Sequence, residues 1–309
     1  MSHIDIQVNG YAGIDFNGEL LTAEQLHHIA DKLEAGQVRA ILPTIITDDV
    51  DRMAARLSNL QKLIAADRRL ESLMPSFHIE GPCISPVDGY RGAHPAEHVR
   101  PATVDVMKKL IDAAGGPDWV SIVTLAPEVD EGLKATRWLK ERKITVSAGH
   151  TDAPLDLLRE AQTAGLAMFT HLGNGCANEI PRKDNIINRA LSLDRLTYSF
   201  IPDGYHVEWF VLRLWLKVAG VERSIFTTDC MAAADAPPGR YRIGPWELEV
   251  GEDKLVRPPG GNHLAGSALT MREAFTNARK HLHLSSDDAE QVCNFNPAKF
   301  VKGLRSQYA

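Results

Sequence analysis

Cysteine is scarce in this chain. Cys83, Cys176, Cys230 and Cys293 are the four in 309 residues, and none pairs in a CxxC spacing. A disulfide scaffold would carry more, so they read as reduced thiols of a cytoplasmic protein. No apolar run approaches the roughly 20 residues that a membrane span needs. The opening Met1-Ser2-His3-Ile4-Asp5 is polar and lacks the apolar centre of a signal peptide. A basic excess is missing too. The formal net charge is −6, which argues against nucleic acid, whose phosphates call for a basic stripe. A small anionic substrate stays open, because a few local cations suffice to hold one. No internal repeat and no low-complexity linker divides the chain.

What is present is a rhythm. At 44% hydrophobic and 24% charged, the chain has material for a sizeable core under an ordinary polar surface. Short apolar, β-branched runs alternate with longer amphipathic ones. The strand-like runs are Ile4 to Val8, Val38 to Leu42, Leu73 to Ile79, Trp119 to Thr124, Ile144 to Ser147, Leu166 to Phe169, Leu196 to Ile201 and Ser224 to Thr227. Their nearly continuous apolar character suits a buried parallel sheet. Between them, Leu26, Ile29, Ala30 and Leu33 follow the i, i+3, i+4, i+7 pattern. So do Val50, Met53, Ala54 and Leu57, and again Val207, Phe210, Val211 and Leu214. Thr22 with Gln25 predicts a capping box. Eight such alternations predict a (β/α)8 TIM barrel in a single catalytic unit over 1–309. Gly, Pro and Asp punctuate short strand-like pieces from Pro237 to Gly261, predicting a β-hairpin inserted after the eighth strand. Closing helices are expected from Ser267 to Gly303.

In such a barrel, chemistry gathers where strands end at the C-terminal rim. Glu80 ends the third strand-like run, His150 follows the fifth, His171 the sixth, and Asp229 the eighth. Taken singly, each has a plainer reading: a capping carboxylate or a hydrogen-bonded structural histidine. Together on one rim they make a set with chemical logic. Catalytic zinc uses three nitrogen or oxygen ligands plus a water, and Glu80, His150 and His171 would supply three. A bound ion brings the pKa of its water to about 7 and polarises a carbonyl under attack. Asp229 would take the proton and return it to a leaving amine.

At these residues the sequence resembles the N-acetylglucosamine-6-phosphate deacetylase family of the metal-dependent amidohydrolase superfamily. The resemblance rests on Asp5-Ile6-Gln7-Val8-Asn9-Gly10, His78-Ile79-Glu80-Gly81-Pro82, Gly92-Ala93-His94, Thr124-Leu125-Ala126-Pro127-Glu128 and Ser147-Ala148-Gly149-His150-Thr151-Asp152. It continues through Thr170-His171-Leu172 with Asn174, Asp203-Gly204-Tyr205-His206, Thr228-Asp229, and the stretch from Leu264 to Met271. It implies that Glu80, His150 and His171 ligate metal and that Asp229 is the catalytic acid and base. It implies that His94 contacts substrate near the acetyl carbonyl and His206 contacts the sugar. It places Asn174 and the backbone of Gly175 at the phosphate, with Arg182 as a phosphate-contacting arginine that can come from a neighbouring subunit. A homodimer and a small phosphorylated amino-sugar substrate are thereby implied.

Many amidohydrolases carry His-x-His at the end of strand one and hold a second metal there. Gln7 and Asn9 stand in its place, and amides are poor ligands for a transition metal beside imidazole. One divalent ion is expected, zinc by default. The chain departs from the family pattern in three places. It is expected to lack the usual small β-sandwich, leaving the barrel ends to a partner subunit. Gly173, Gly175 and Cys176 replace bulkier residues, so a smaller wall could admit another sugar or acyl group. Pro181-Arg182-Lys183-Asp184-Asn185 keeps the arginine and adds a lysine. Two other functions stay open: an amidohydrolase acting on another amide or cyclic amide, and a catalytically silent sugar-phosphate-binding barrel. Glu128 is expected to be structural, Cys176 to line the pocket, and His27, His28, His281 and His283 to lie on the surface. Gly260-Gly261-Asn262 reads as a turn.

Overall fold

A computed structural model describes residues 2–259 and 264–304. The tract Gly260-Gly261-Asn262 and the end of the expected hairpin at Gly261 lie outside the described residues. Eight parallel strands follow one another around the fold. They are β1 (His3–Val8), β2 (Val38–Ile46), β3 (Phe77–Glu80), β4 (Val120–Leu125), β5 (Thr145–Ala148), β6 (Leu166–Phe169), β7 (Thr197–Phe200) and β8 (Ser224–Phe226). The ring closes between β8 and β1 through a parallel bridge from Val8 to Cys230, where the Asn9 N–H donates to the Cys230 carbonyl at 2.7 Å. Asp5 strengthens that seam. Its buried carboxylate accepts from the hydroxyls of Thr227 and Thr228 and from the Thr228 N–H.

The helical stripes explain why the outer layer packs. In α1 (Ala23–Ala35), Leu26, Ile29, Ala30 and Leu33 are all buried, and Thr22 and Gln25 form the expected capping box. In α2 (Val50–Ala65), Met53 and Leu57 are buried with Leu60 and Ile64. For the helix after β7, Trp209–Ala219, the expected face was wrong. Phe210 and Leu214 are 72% and 58% exposed, while Leu212, Leu216 and Ala219 are buried. That helix is apolar nearly all round, so period alone does not choose a face.

Two strand boundaries also moved. The second strand runs on through Pro43 to Ile46. A proline within a central strand leaves a gap in the ladder, and here the gap meets a bulge. Between Asp5 and Val8 the first strand carries one residue more than its partner, and the Val8 N–H turns to Thr44 Oγ1 at 3.0 Å. The third strand begins at Phe77, because Leu73 closes a short helix, Arg68–Leu73. A short buried run does not distinguish strand from helix.

The barrel interior is layered. Ile4, Ile6, Ala40, Leu42, Ile122, Met168 and Ile225 form an apolar plug together with Val301. Ala298, Phe300 and Leu304 pack against it. Ser76 and Ser121, at the starts of β3 and β4, hydrogen bond to the Lys302 backbone. The N-terminal end of the barrel is therefore covered by residues 298–304, at a place where a partner subunit was expected. Above this plug lies a buried polar chain. His78 Nδ1–H donates to the Ile6 carbonyl at 3.0 Å and its Nε2 meets Thr124 Oγ1 at 2.8 Å. Thr124, Thr170 and Ser147 continue it at 2.7 and 2.6 Å. Burial pushes His78 down to about 4, so it stays neutral, with one N–H to give and one lone pair to receive.

After β8 the chain makes a three-stranded antiparallel sheet, Gly239–Ile243, Trp246–Val250 and Val256–Arg257, one strand more than a hairpin. It packs Ile243, Leu248, Val250 and Val256 over Met231 to Ala233 beside the C-terminal rim.

Candidate metal centre and its acid

Glu80, His150 and His171 converge at the C-terminal rim with ligating atoms within 4.8 Å of one another, all three residues buried. Glu80 Oε1 lies 3.2 Å from His150 Nε2 and 2.8 Å from His171 Nε2. Burial alone would raise the Glu80 carboxyl, but the two imidazoles packed against Oε1 outweigh it and hold the group well below its ordinary value. The complementary effect raises His171, where the Glu80 bond prevails over desolvation.

The surroundings of His150 leave one of its ring nitrogens free for a cation. His150 Nδ1–H donates to the Tyr90 carbonyl at 3.0 Å, which leaves Nε2 with its lone pair, the usual outer support of a metal-binding histidine. The ring lies between two glycines. A Cβ on Gly175 would come within 2.7 Å of it and one on Gly92 within 3.1 Å. Two imidazole nitrogens and a carboxylate oxygen with no cation among them would repel unless the rings were protonated, so this donor set fits a divalent ion.

His150, His171 and Asp229 also share a backbone peculiarity. Their φ angles are 51°, 31° and 50°. The left-handed region costs a residue other than glycine on the order of 1–3 kcal/mol, and such strain collects at functional sites. Histidine and aspartate are among the residues that tolerate it best. At each strand end the chain turns sharply and points its side chain into the barrel mouth.

Asp229 sits beside the ligand group. Gln7 Nε2 bridges the two acids, donating to Glu80 Oε2 and to Asp229 Oδ1, each at 3.0 Å. Asn9 Nδ2 donates to the same Oδ1 at 2.8 Å. Burial, then the Glu80 charge, raises Asp229 to about 6. His94 is brought to the cluster as well, its Nε2 3.2 Å from His150 Nε2, with Arg91 holding its carbonyl at 2.7 Å. Burial, aided by His150, lowers His94 to about 3, so it is a neutral N–H donor.

The residues assigned to sugar and phosphate are less tightly gathered. His206 Nδ1–H donates to Asp203 Oδ2 at 2.6 Å, and Asp203 Oδ1 accepts the backbone N–H of Tyr205 and His206. Burial works to raise Asp203, but the His206 bond holds it below its usual value. Asn174 Nδ2 is buried without a hydrogen-bond partner, and Gly175 follows it against the His150 ring. Arg182 lies in an exposed stretch of the loop after β6 and makes no ion pair among the described residues. The structure does not bring it to the cluster.

Gly173 answers the expectation of a roomier wall. Its Cβ would lie 2.5 Å from the Trp215 ring, and its φ is +97°. The indole occupies the volume that a side chain would fill, so glycine here does not enlarge the pocket. Gly173→Ala is expected to lower stability by about 1–3 kcal/mol through overpacking and backbone strain, read as a fall in melting temperature. An unchanged melt would show that Trp215 yields freely.

Glu128 is structural, accepting the Thr151 hydroxyl and the Asp152 N–H and so fixing the loop after His150. Cys176 is half-buried with Sγ 3.6 Å from the Gly173 carbonyl, outside the ligand group. Of the expected surface histidines, His27 pairs with Asp67 at 3.3 Å, but His281 stacks on Trp209 at 4.6 Å. That stack borders a cleft of about 390 Å³ that also meets Asp203, Tyr205 and Glu273 but none of the ligand residues. Sequence reasoning missed the work of Gln7 and Asn9. The bulge hid it: Ile4 and Ile6 face the barrel interior, and the extra residue turns Gln7 and Asn9 inward instead of Val8.

No family model matches the chain. It is 32% identical over 298 residues to the N-acetylglucosamine-6-phosphate deacetylase of Bacillus subtilis, covering 96% of this chain and 73% of that one. It is 30% identical over 300 residues to the N-acetylgalactosamine-6-phosphate deacetylase of a Shewanella species, covering 97% and 73%. The solved N-acetyl-D-glucosamine-6-phosphate deacetylase of Mycobacterium smegmatis, in complex with N-acetyl-D-glucosamine-6-phosphate, superposes with a TM-score of 0.87 at 28% identity, over 98% of this chain and 77% of that one. With a buried Glu-His-His group and an acid at the rim of the same barrel, the chain belongs to the N-acetylglucosamine-6-phosphate deacetylase family.

Proposed function

We propose that this protein hydrolyses the acetamide of an N-acetylhexosamine 6-phosphate, releasing acetate and the amino-sugar phosphate. The observation that carries the reading is the convergence of Glu80, His150 and His171 beside Asp229 at the mouth of one catalytic barrel. One divalent cation, zinc by default, would be held by those three residues and would supply an acidic water and a polarised carbonyl at neutral pH.

The protein's own groups do the rest. Asp229 takes a proton from the attacking water through Oδ2, since Oδ1 is engaged by Gln7 and Asn9. It then delivers that proton to the departing nitrogen as the tetrahedral species collapses. His94, a neutral donor, places its N–H on the carbonyl oxygen as negative charge builds there, which is preorganised stabilisation of the transition state. His206, oriented by Asp203, presents its second nitrogen to a sugar hydroxyl. Asn174 offers its unpartnered amide, with the Gly175 N–H, to the phosphate. Arg182 would reach a phosphate from the neighbouring subunit of a homodimer. Phe210, Leu214 and Val218 expose an apolar stripe on the helix after β7, and a sedimentation mass of one chain would exclude the dimer. No helix among the described residues is long and apolar enough to cross a membrane.

Acetate release from N-acetylglucosamine 6-phosphate and its galactosamine epimer, with metal measured on the same sample, tests the reading. Turnover of at least one epimer, and little of the unphosphorylated sugars, is expected. A metal-loaded protein that releases acetate from neither would defeat the reading.

A further inference from the structure

We propose that Gln7 and Asn9 are positioning residues that divide two carboxylates between two jobs. The inference rests on the hydrolase reading above. Glu80 and Asp229 are both acids at the mouth of one barrel, and each has two oxygens capable of either task. The amides remove that ambiguity. Gln7 gives one hydrogen of its Nε2 to Glu80 Oε2 and the other to Asp229 Oδ1, both at 3.0 Å. Asn9 adds a second donor to Asp229 Oδ1 at 2.8 Å and approaches the Asp229 backbone carbonyl at 3.5 Å. What remains is one free oxygen on each acid. Glu80 Oε1 faces His150 and His171. Asp229 Oδ2 accepts no hydrogen bond among the described residues and is left for the proton.

The orientation of the amides follows from the charges beside them. A flipped Asn9 would aim its oxygen at a carboxylate, so the amide group must face Asp229. Its own Oδ1 is then buried without a partner, a penalty that its donation to the Asp229 carboxylate must offset. Gln7 is 1% exposed and Asn9 2%, so water does not compete for either donor. Asn17 anchors the assembly, joining the Asn9 and Thr44 carbonyls at 3.3 and 2.9 Å. A neutral amide suits the place between two acids, because it donates twice without adding charge.

The two residues differ in what they touch, which makes them separable. Gln7 acts on both acids; Asn9 acts on Asp229 alone. Gln7→Leu is expected to lower kcat by about ten- to a hundredfold, as a misplaced proton acceptor does. It should also weaken metal binding by about ten- to a hundredfold, as loss of outer support does. Asn9→Ala is expected to lower kcat in the same range while leaving metal affinity within about threefold of the parent. KM should change less than kcat in both. Gln7→Asn keeps the amide but is too short to span both acids, so it should fall between parent and Gln7→Leu; it also serves if the leucine variant does not fold.

The experiment measures kcat and KM by acetate release and, separately, zinc affinity of the metal-stripped proteins by competition with a chelator. Parent protein on the same substrate is the control. If the parent releases no acetate, the functional reading fails and not the clamp. If the parent is active and both variants keep kcat within about threefold, the clamp is refuted. Equal loss of zinc affinity in Gln7→Leu and Asn9→Ala would also refute it, since both would then act on the ligand group.

Discussion

Asp229→Asn is expected to keep its metal and lose about two to four orders of magnitude in turnover, the range that a general acid–base group supplies. Asparagine fits the position. The φ of 50° lies where asparagine goes more readily than most residues. Its side-chain oxygen would accept from Gln7 and Asn9 as Oδ1 does at 3.0 and 2.8 Å. The amide then replaces Oδ2 and offers hydrogens where the reaction needs an acceptor. Stability should move the other way. Asp229 rises to about 6 because burial, then the Glu80 charge, disfavours its ionised form. A carboxyl whose pKa rises on folding favours the fold when protonated, and that advantage fades as pH climbs through about 6. The neutral variant escapes this loss, so in the metal-free protein at neutral pH it should melt no lower than the parent. Turnover within about threefold of the parent would take the proton-transfer role away from Asp229.

His150→Ala is expected to empty the metal site. Its Nε2 is one of three converging donors, and no other histidine in the cluster is oriented to replace it. His94 Nε2 comes within 3.2 Å of His150 Nε2 but stands outside the group whose atoms are mutually close. Loss of an outer-shell partner alone costs about ten- to a hundredfold in metal affinity, so removal of a ligand should exceed the upper end of that range. Metal per chain after dialysis is the readout. The folded state should survive, because β5 and β6 are held by their ladder and by the Ser147 to Thr170 hydroxyl contact at 2.6 Å. Metal content equal to the parent's in a folded variant would strike His150 from the ligand set.

Much of this architecture was legible in residue pattern. All eight strands overlap the apolar β-branched runs that predict them, the second longer and the third shorter than its run, and the rim residues Glu80, His150, His171 and Asp229 stand where a barrel concentrates chemistry. What pattern did not reveal arises from interactions between distant segments. The bulge opposite Pro43 changes which residues of β1 face inward, and no local rule announces it. The exposed face of the Trp209–Ala219 helix was illegible because apolar residues occur on all sides. Gly173 resembled a widened pocket until Trp215, 42 positions away, was found in the space. Motif spacing located the acids and imidazoles, but which oxygen of each acid is free became visible only in three dimensions.

The left-handed turns at His150, His171 and Asp229 bear on how this catalyst can be altered. A randomised library at those codons would be sieved by folding before any chemistry was scored. Glycine, asparagine, aspartate and histidine would pass, while valine, isoleucine and threonine would be discarded whatever they offered the substrate. New specificity is therefore better sought at surrounding loop residues whose φ is negative than at these three positions or at left-handed Gly173 and Gly175.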